Sequence, residues 1–294
     1  MIEEEKENFD VDWLNERYPF DVEARDKALE TKMLALLADK PIVTLVDVGA
    51  GTGSNCLYFI SKLSQHQKWF LIEQNTDLKK ATIRRLKDYA SYHKYSFDQQ
   101  QDHIKIKAPK KNIEVTIIND SLLNMETCVD VSKVDIVTAN AVFDLFSEAQ
   151  LIQLVNIISK HQLTFYHTLS YQGMFFEPDD PFDKIFIDTY NEHMERPQAF
   201  GKALGTKANA CLLTLFEAQP CTITTATSTW QIEPNDLKMH YYLLNFMENA
   251  LGEMNLPPAK QQNFEKWVQR KKELIITAQQ RLKVEHLDVL VINH

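Results

Sequence analysis

Apolar residues along this chain follow two alternating rhythms. Short β-branched runs at residues 41–48, 68–72, 113–118, 134–138 and 163–169 read as strands, and the first is apolar almost throughout, as in a strand buried on both faces. Between them, residues 54–63, 76–92 and 147–160 repeat their apolar positions every three or four residues, the period of an amphipathic helix. This β-α-β-α alternation predicts an α/β fold with a doubly wound, mostly parallel sheet.

The flanking segments extend that plan. Residues 1–40 predict an N-terminal helical cap. Its first helix starts at Asp10-Val11-Asp12-Trp13-Leu14 and is broken by Pro19. Asp21 is expected to cap the second, whose stripe is Val22, Leu29, Met33, Leu36 and Leu37. Residues 41–294 then form one α/β domain. Residues 93–112 are polar and Gln/Lys-rich, which suggests an insertion or hairpin. After the fifth strand, substrate-side helices are expected near 178–219, a sixth strand at 221–230, and a helical insert near 236–282. The last helix of that insert carries Phe264, Trp267, Val268, Ile275, Ala278 and Leu282, and a seventh strand at 287–292 follows. No internal repeat and no long linker divides the chain.

Composition narrows the partners. Of the 294 residues, 44% are hydrophobic and 25% charged, as in a globular protein with a real core. No apolar run approaches the ~20 residues that span a bilayer. The start, Met1-Ile2-Glu3-Glu4-Glu5, lacks the basic and apolar segments of an export signal, so a cytoplasmic location without membrane attachment is expected. Cys56, Cys128, Cys211 and Cys221 form no CxxC pair, which favours reduced thiols and predicts no metal site. The net charge of −9 argues against a nucleic-acid partner. Residues 79–111 nevertheless hold ten Lys/Arg against three acids.

Glycine is scarce, with seven in all, and three of them lie in Val46-Asp47-Val48-Gly49-Ala50-Gly51-Thr52-Gly53-Ser54-Asn55. A glycine loop between a strand and a helix lets a ligand approach the backbone, beyond the carboxyl ends of the strands. Glu73 follows twenty residues after Gly53, at the tip of the second strand, where a carboxylate can accept hydrogen bonds from a ribose diol. A dinucleotide site usually reads GxGxxG. Here the spacing is GxGxG, with Ser54 where the third glycine of that pattern would stand.

The string resembles motif I of class I S-adenosylmethionine (SAM)-dependent methyltransferases, and the likeness spans about residues 40–170. The resemblance implies a seven-stranded Rossmann-like sheet, SAM as cofactor, and a set of cofactor residues. Those are Asp47, Gly49, Ala50, Gly51 and Gly53 in the loop, Glu73 with its neighbour Gln74 at the ribose, Asp120 and Ser121 at the adenine edge, and Asn140 at the end of the fourth strand. Asp144, just beyond, falls on the acceptor side. Asp12 to Arg17, Phe200-Gly201-Lys202-Ala203-Leu204-Gly205 and Glu285-His286-Leu287-Asp288 are similar to a bacterial subgroup of these enzymes. The long helical insert before the last strand departs from the common plan.

Aromatic and polar residues gather after the fifth strand, and Tyr171, Tyr190, Phe200 and Gly201 join Asp144 as candidate substrate contacts. Should the acceptor need a general base, His193 is the first candidate and Tyr171 the second. Asp120 alternatively caps the next helix. Trp13, Arg17 and Arg25 read either as a lid pairing with the methionine carboxylate, or as a core anchor and two surface ion pairs. The leading expectation is a SAM-dependent methyltransferase of a small-molecule acceptor, as monomer or homodimer. An RNA methyltransferase, supported by the basic stretch, an NAD(P)-dependent oxidoreductase and a non-catalytic SAM-fold module are the alternatives.

Overall fold

The structure, a computed structural model, describes residues 11–198 and 201–294. Two N-terminal helices, α1 (Val11–Ala24) and α2 (Lys27–Ala35), precede the α/β unit. That unit runs β1 (Ile42–Val48), α3 (Ser54–Lys62), β2 (His66–Ile72) and α4 (Thr76–Tyr92). Next come β3 (Ser96–Gln100), β4 (His103–Lys107), β5 (Asn112–Ile118), α5 (Met125–Cys128), β6 (Ile136–Asn140) and α6 (Glu148–Lys160). The second half holds β7 (Thr164–Glu177), α7 (Asp183–Met194), a ribbon of β8 (Pro197–Gln198) and β9 (Gly201–Lys202), and α8 (Ala208–Glu217). It closes with β10 (Cys221–Ile232), α9 (Leu237–Glu253), α10 (Pro258–Ile276) and β11 (Arg281–Asn293).

The main sheet has the order β10-β11-β7-β6-β1-β2-β5-β4-β3. Its centre, β7-β6-β1-β2-β5, is parallel, and both flanks are antiparallel. The doubly wound, mostly parallel α/β class read from the sequence is present, with nine strands in place of seven. The two extra strands are the hairpin β3–β4 within the polar stretch 93–112. In β4, Ile104 and Ile106 turn inward while Lys105 and Lys107 face solvent, so these two lysines of the basic stretch lie on the wet side of an edge hairpin.

Helices cover both faces. Leu29 and Met33 of α2, Phe59 of α3, and Leu86 and Ala90 of α4 pack on one side with Leu45 and Trp69 of the sheet. Leu151, Leu154 and Ile158 of α6, with Leu212 and Phe216 of α8, pack on the other. A third cluster joins Trp13, Phe186, Trp230, Met247, Phe264 and Trp267, so the helical insert α9–α10 shares a core with α1, α7 and the outer halves of β7 and β10. Within it Lys271 is fully enclosed, with Nζ 2.8 Å from Asp183 Oδ1. Asp183 also accepts from Trp267 Nε1 at 2.7 Å.

Four local expectations are corrected. Pro19 does not end α1, which runs on to Ala24. Its ring lies on the exposed side, where water can reach the carbonyl whose helical bond it forgoes. Asp21 is not a cap. It is buried and accepts from Arg17 and from Trp230 Nε1, while Asp26 caps α2 by accepting from Leu29 N at 2.6 Å. The last helix stops at Ile276, because Ala278 takes a left-handed φ of 51° and Leu282 already pairs with Phe176 and Ile232. Finally, the fifth strand does not end at 169, because β7 runs on through Tyr171, Phe175 and Phe176 to Glu177, paired with β11.

Candidate functional site

Register brings the chemistry together. Val48, the last residue of β1, is level with Ile72 of β2 on one side and Ala139 of β6 on the other. The glycine loop, Glu73 and Asn140 therefore leave the same edge of the sheet side by side, where ligands of open parallel sheets bind.

Gly49 takes φ +68°, and a Cβ there would stand 2.8 Å from Val142 Cγ2. The loop thus needs glycine both for its turn and for contact with the segment that follows β6. Gly51 has φ +56°, and an added Cβ would approach only Leu14 Cδ1 of α1, at 3.7 Å. Helix α1 lies across the loop. Ala50 is buried, and Gly53 ends the turn at the N-terminus of α3. Arg85 of α4 braces the loop from outside. It donates to Thr52 Oγ1 and Ser54 Oγ at 2.6 Å each and packs its guanidinium over the Tyr18 ring.

Two carboxylates flank the turn. Glu73 Oε2 accepts from Gly51 N at 2.9 Å, and Oε1 accepts from Asn75 N at 2.7 Å. Burial pushes its pKa up, and these backbone donors partly offset the push. Asp47 Oδ1 accepts from Asn55 Nδ2 and Thr138 Oγ1, both at 2.8 Å, while Oδ2 is buried without a partner. Burial raises the Asp47 pKa to about 6, against those two hydrogen bonds and the nearby positive charge of Arg25.

Arg25 stands at the break between α1 and α2 and is 3% exposed. One Nη2 donates to Asn55 Oδ1 at 2.9 Å and Asn140 Oδ1 at 3.0 Å, whereas Nε and Nη1 are buried without a hydrogen-bond partner. The guanidinium lies 4.3 Å from the Tyr58 ring centroid. Arg17 pairs with Asp21 at 3.0 Å and stacks 4.7 Å over Trp230. Neither arginine makes an exposed surface pair, so that expectation is corrected. Trp13 is buried against Trp230, Tyr242 and Phe246, as a core anchor would be.

The remaining candidates separate into groups. Asp120 accepts from Ser121 N, Asn124 Nδ2 and Cys128 Sγ, and these bonds lower its pKa; Ser121 Oγ accepts from Leu123 N. Both residues thus shape the turn into α5. Gln74 is exposed, and its carbonyl accepts from Asn119 Nδ2 at 2.8 Å. Asn140 also accepts from Thr168 Oγ1 at 2.8 Å. Asp144 and Tyr171 share one electrostatic neighbourhood with Tyr190 and Arg17. Tyr171 is buried and donates to Asn191 Oδ1 at 3.1 Å, and burial holds its hydroxyl protonated. Gly201 is exposed in the β8–β9 ribbon beside Ser147, and Phe200 lies outside the described residues. His193 meets Glu253 Oε2 at 2.8 Å, and no described hydrogen bond, ion pair or ring contact joins it to the loop.

Sequence reasoning had passed over Asn55, Thr138 and Arg85 as site residues and had left Arg25 between a lid over the methionine carboxylate and a surface ion pair. One signal pointed to Arg25: it falls between Val22 and Leu29 on an otherwise apolar stripe. Asp288 was seen only as part of a similar segment. It is a buried joint, accepting from Leu169 N, Ser228 Oγ and Asp26 N, and so ties β7, β10 and the start of α2 to β11.

No family model matches the chain, and no curated protein matches it. Solved structures with a similar course include the cyclopropane synthase MmaA2 of Mycobacterium tuberculosis, 11% identical over 95% of each chain, with a TM-score of 0.46. Another, from Galdieria sulphuraria, is described as a sarcosine dimethylglycine methyltransferase and is 14% identical over 90% of this chain and 83% of that one, with a TM-score of 0.47. A third is the geranyl diphosphate C-methyltransferase of Streptomyces coelicolor A3(2), crystallised with Mg2+, geranyl-S-thiolodiphosphate and S-adenosyl-L-homocysteine. It is 13% identical over 92% of this chain and 79% of that one, with a TM-score of 0.42. At these values they stand as likenesses, and the functional reading rests on the site itself. Among the described residues, no helix is long and apolar enough to cross a membrane.

Proposed function

We propose that the chain binds S-adenosylmethionine at the carboxyl ends of β1, β2 and β6 and transfers its methyl group to a small-molecule acceptor. The observation that carries this reading is two sets of buried polar atoms without hydrogen-bond partners near the glycine loop: Asp47 Oδ2, and Nε and Nη1 of Arg25. A buried polar atom without a partner costs about 1–3 kcal/mol. A ligand with an ammonium and a carboxylate on one carbon supplies the complement to each, and Glu73 at the tip of β2 suits a ribose diol. A nicotinamide dinucleotide lacks the amino-acid end, and the loop lacks the third glycine of its pattern.

In this reading Asp47 takes the amino group, Arg25 the carboxylate and Glu73 the sugar, with Asp120 and Ser121 at the adenine edge. When bound, the sulfonium supplies an already activated methyl group. The protein's task is alignment, and positioning alone is worth ~7–11 kcal/mol. Helix α1 closes over the loop through Leu14 and Tyr18 and keeps water from the transfer.

Thermal unfolding with SAM, S-adenosylhomocysteine or NAD tests the assignment, since a ligand that binds only the folded state raises the melting temperature. Stabilisation by the first two, lost in Arg25→Gln, supports it. Stabilisation by NAD alone overturns it.

A further inference from the structure

Asn55 is the second residue of α3, where an asparagine gains little from helix propensity and does not serve as the cap, which is Gly53. Its side chain is buried instead, at 2% exposure. A buried amide is costly unless it is hydrogen-bonded, and this one is bonded at both ends. Nδ2 donates to Asp47 Oδ1 at 2.8 Å, and Oδ1 accepts from Arg25 Nη2 at 2.9 Å. The amide cannot be reversed, because an ionised carboxylate only accepts and a guanidinium only donates. Asn55 therefore spans the two charged groups assigned above to the amino-acid end of the cofactor.

Strand β6 supplies the rest of the circuit. Thr138 and Asn140 are two residues apart and so share one face of that strand. Thr138 Oγ1 donates to Asp47 Oδ1 at 2.8 Å. Asn140 Oδ1 accepts from Arg25 Nη2 at 3.0 Å and from Thr168 Oγ1 at 2.8 Å. The guanidinium also lies 4.3 Å from the Tyr58 ring centroid and 5.4 Å from that of Phe59. Each charge is thus pinned by its own partner on β6, and Asn55 joins one to the other. Among the described residues no ion pair links Arg25 to Asp47 directly. Two opposite charges inside a protein attract strongly. Without a spacer they would pair and consume the atoms that a ligand needs. With Asn55 between them, Asp47 Oδ2 and Arg25 Nε and Nη1 have no hydrogen-bond partner.

We propose that Asn55 is a positioning residue of the cofactor site, holding the Asp47 carboxylate and the Arg25 guanidinium one amide apart so that the site selects ligands ending in an α-amino acid. This rests on the SAM reading above and adds to it a determinant of ligand choice. An α-amino acid carries its ammonium and carboxylate on one carbon. It satisfies both protein groups only while neither has collapsed onto the other. A ligand with the ammonium alone leaves Arg25 unanswered, and a ligand with neither leaves both unanswered.

The test compares two ligands by calorimetry on the full chain: S-adenosylhomocysteine, and methylthioadenosine, which keeps the nucleoside and thioether but lacks the amino-acid end. The native protein should bind the first more tightly by about 10²-fold or more. Asn55→Ala should weaken S-adenosylhomocysteine by about 10–10²-fold, the loss expected for hydrogen bonds to charged groups, and leave methylthioadenosine within about twofold. A general distortion of the loop would weaken both ligands alike, and that result overturns the proposal. Arg25→Gln combined with Asn55→Ala should cost less than the sum of the two separate losses, since both act on one clamp; additive losses overturn it. Should Asn55→Ala fail to fold, the nearly isosteric Asn55→Asp carries the same comparison. It sets a second carboxylate against Asp47, and unchanged affinity for S-adenosylhomocysteine overturns the proposal. Equal native affinity for the two ligands also overturns it while leaving the nucleoside site standing. Failure of the native chain to bind either ligand strikes the cofactor reading itself and takes the proposal with it.

Discussion

Glu73 Oε2 accepts the amide hydrogen of Gly51 at 2.9 Å, so the carboxylate that ends β2 is fixed to the loop that ends β1. One hydrogen bond thereby couples the shape of the glycine turn to the group assigned to the ribose. Glu73→Ala removes that tie together with the sugar's acceptor. SAM affinity should fall by roughly 1–3 kcal/mol, the range for lost hydrogen bonds to a charged group. Calorimetry reads this directly, and an unchanged Kd would place the sugar elsewhere. Gly51→Asp is the harsher variant, because it puts a charged side chain in the loop at a left-handed φ of +56°, directed toward Leu14 of α1. It should abolish SAM binding.

Asp47 gives the site a pH dependence. Burial raises its folded pKa to about 6 from 3.8, so the folded protein holds this proton more tightly than the unfolded chain. Its contribution to stability is therefore fully present below 3.8 and is lost as the pH rises through about 6. Binding an ammonium needs the opposite, ionised form. SAM affinity should weaken as the pH falls below about 6, and Asp47→Asn should bind weakly with that dependence gone. Titrations from pH 5 to 8 follow both. A native affinity independent of pH across that range would remove Asp47 from the amino group.

The clamp between α7 and α10 predicts a stability effect away from the chemistry. Lys271 is 0% exposed and pairs with Asp183, which also holds Trp267 Nε1. Replacing the lysine alone leaves a buried carboxylate with one partner fewer. Lys271→Met should destabilise the fold by about 3–5 kcal/mol in denaturant titrations, whereas the Lys271→Met, Asp183→Asn pair should recover much of that loss. Equal losses in both variants would show that packing, not the charge, is what matters there.

The basic hairpin predicts no effect at all. Lys105 and Lys107 face solvent on β4, Lys79 pairs with Asp102 at 2.8 Å, and Lys111 caps the carbonyls of Ile60 and Leu63. Lys105→Glu with Lys107→Glu should leave SAM affinity and turnover unchanged. A loss of turnover, with RNA released from the native protein at high salt, would favour the RNA methyltransferase alternative.

How far the sequence reached depends on how local each feature is. The parallel core was legible because a strand buried on both faces is a nearly continuous apolar run, as in residues 42–48, broken only by Thr44 and Asp47, and each helix repeats its own stripe. The loop and Glu73 were legible because they sit at fixed offsets from strand ends. Arg25 was named only as one of two alternatives, and its burial was not legible, since its partners Asn55 and Asn140 lie 30 and 115 residues away and only the fold joins them. Asp288 meets Asp26 across 262 residues for the same reason. The run of β7 through Tyr171 and Phe176 is set by pairing with β11, and its aromatic, glycine-containing sequence gave no sign of that partner. Pro19 misled because a proline rule that holds in a helix interior is relaxed on the wet side of α1.

A crystal structure of the chain with S-adenosylhomocysteine tests the central claim most directly. The account predicts the ribose hydroxyls on Glu73, the amino group on Asp47 Oδ2 and the carboxylate on Arg25. Ligand density elsewhere, or a crevice that stays closed at saturating ligand, would contradict it.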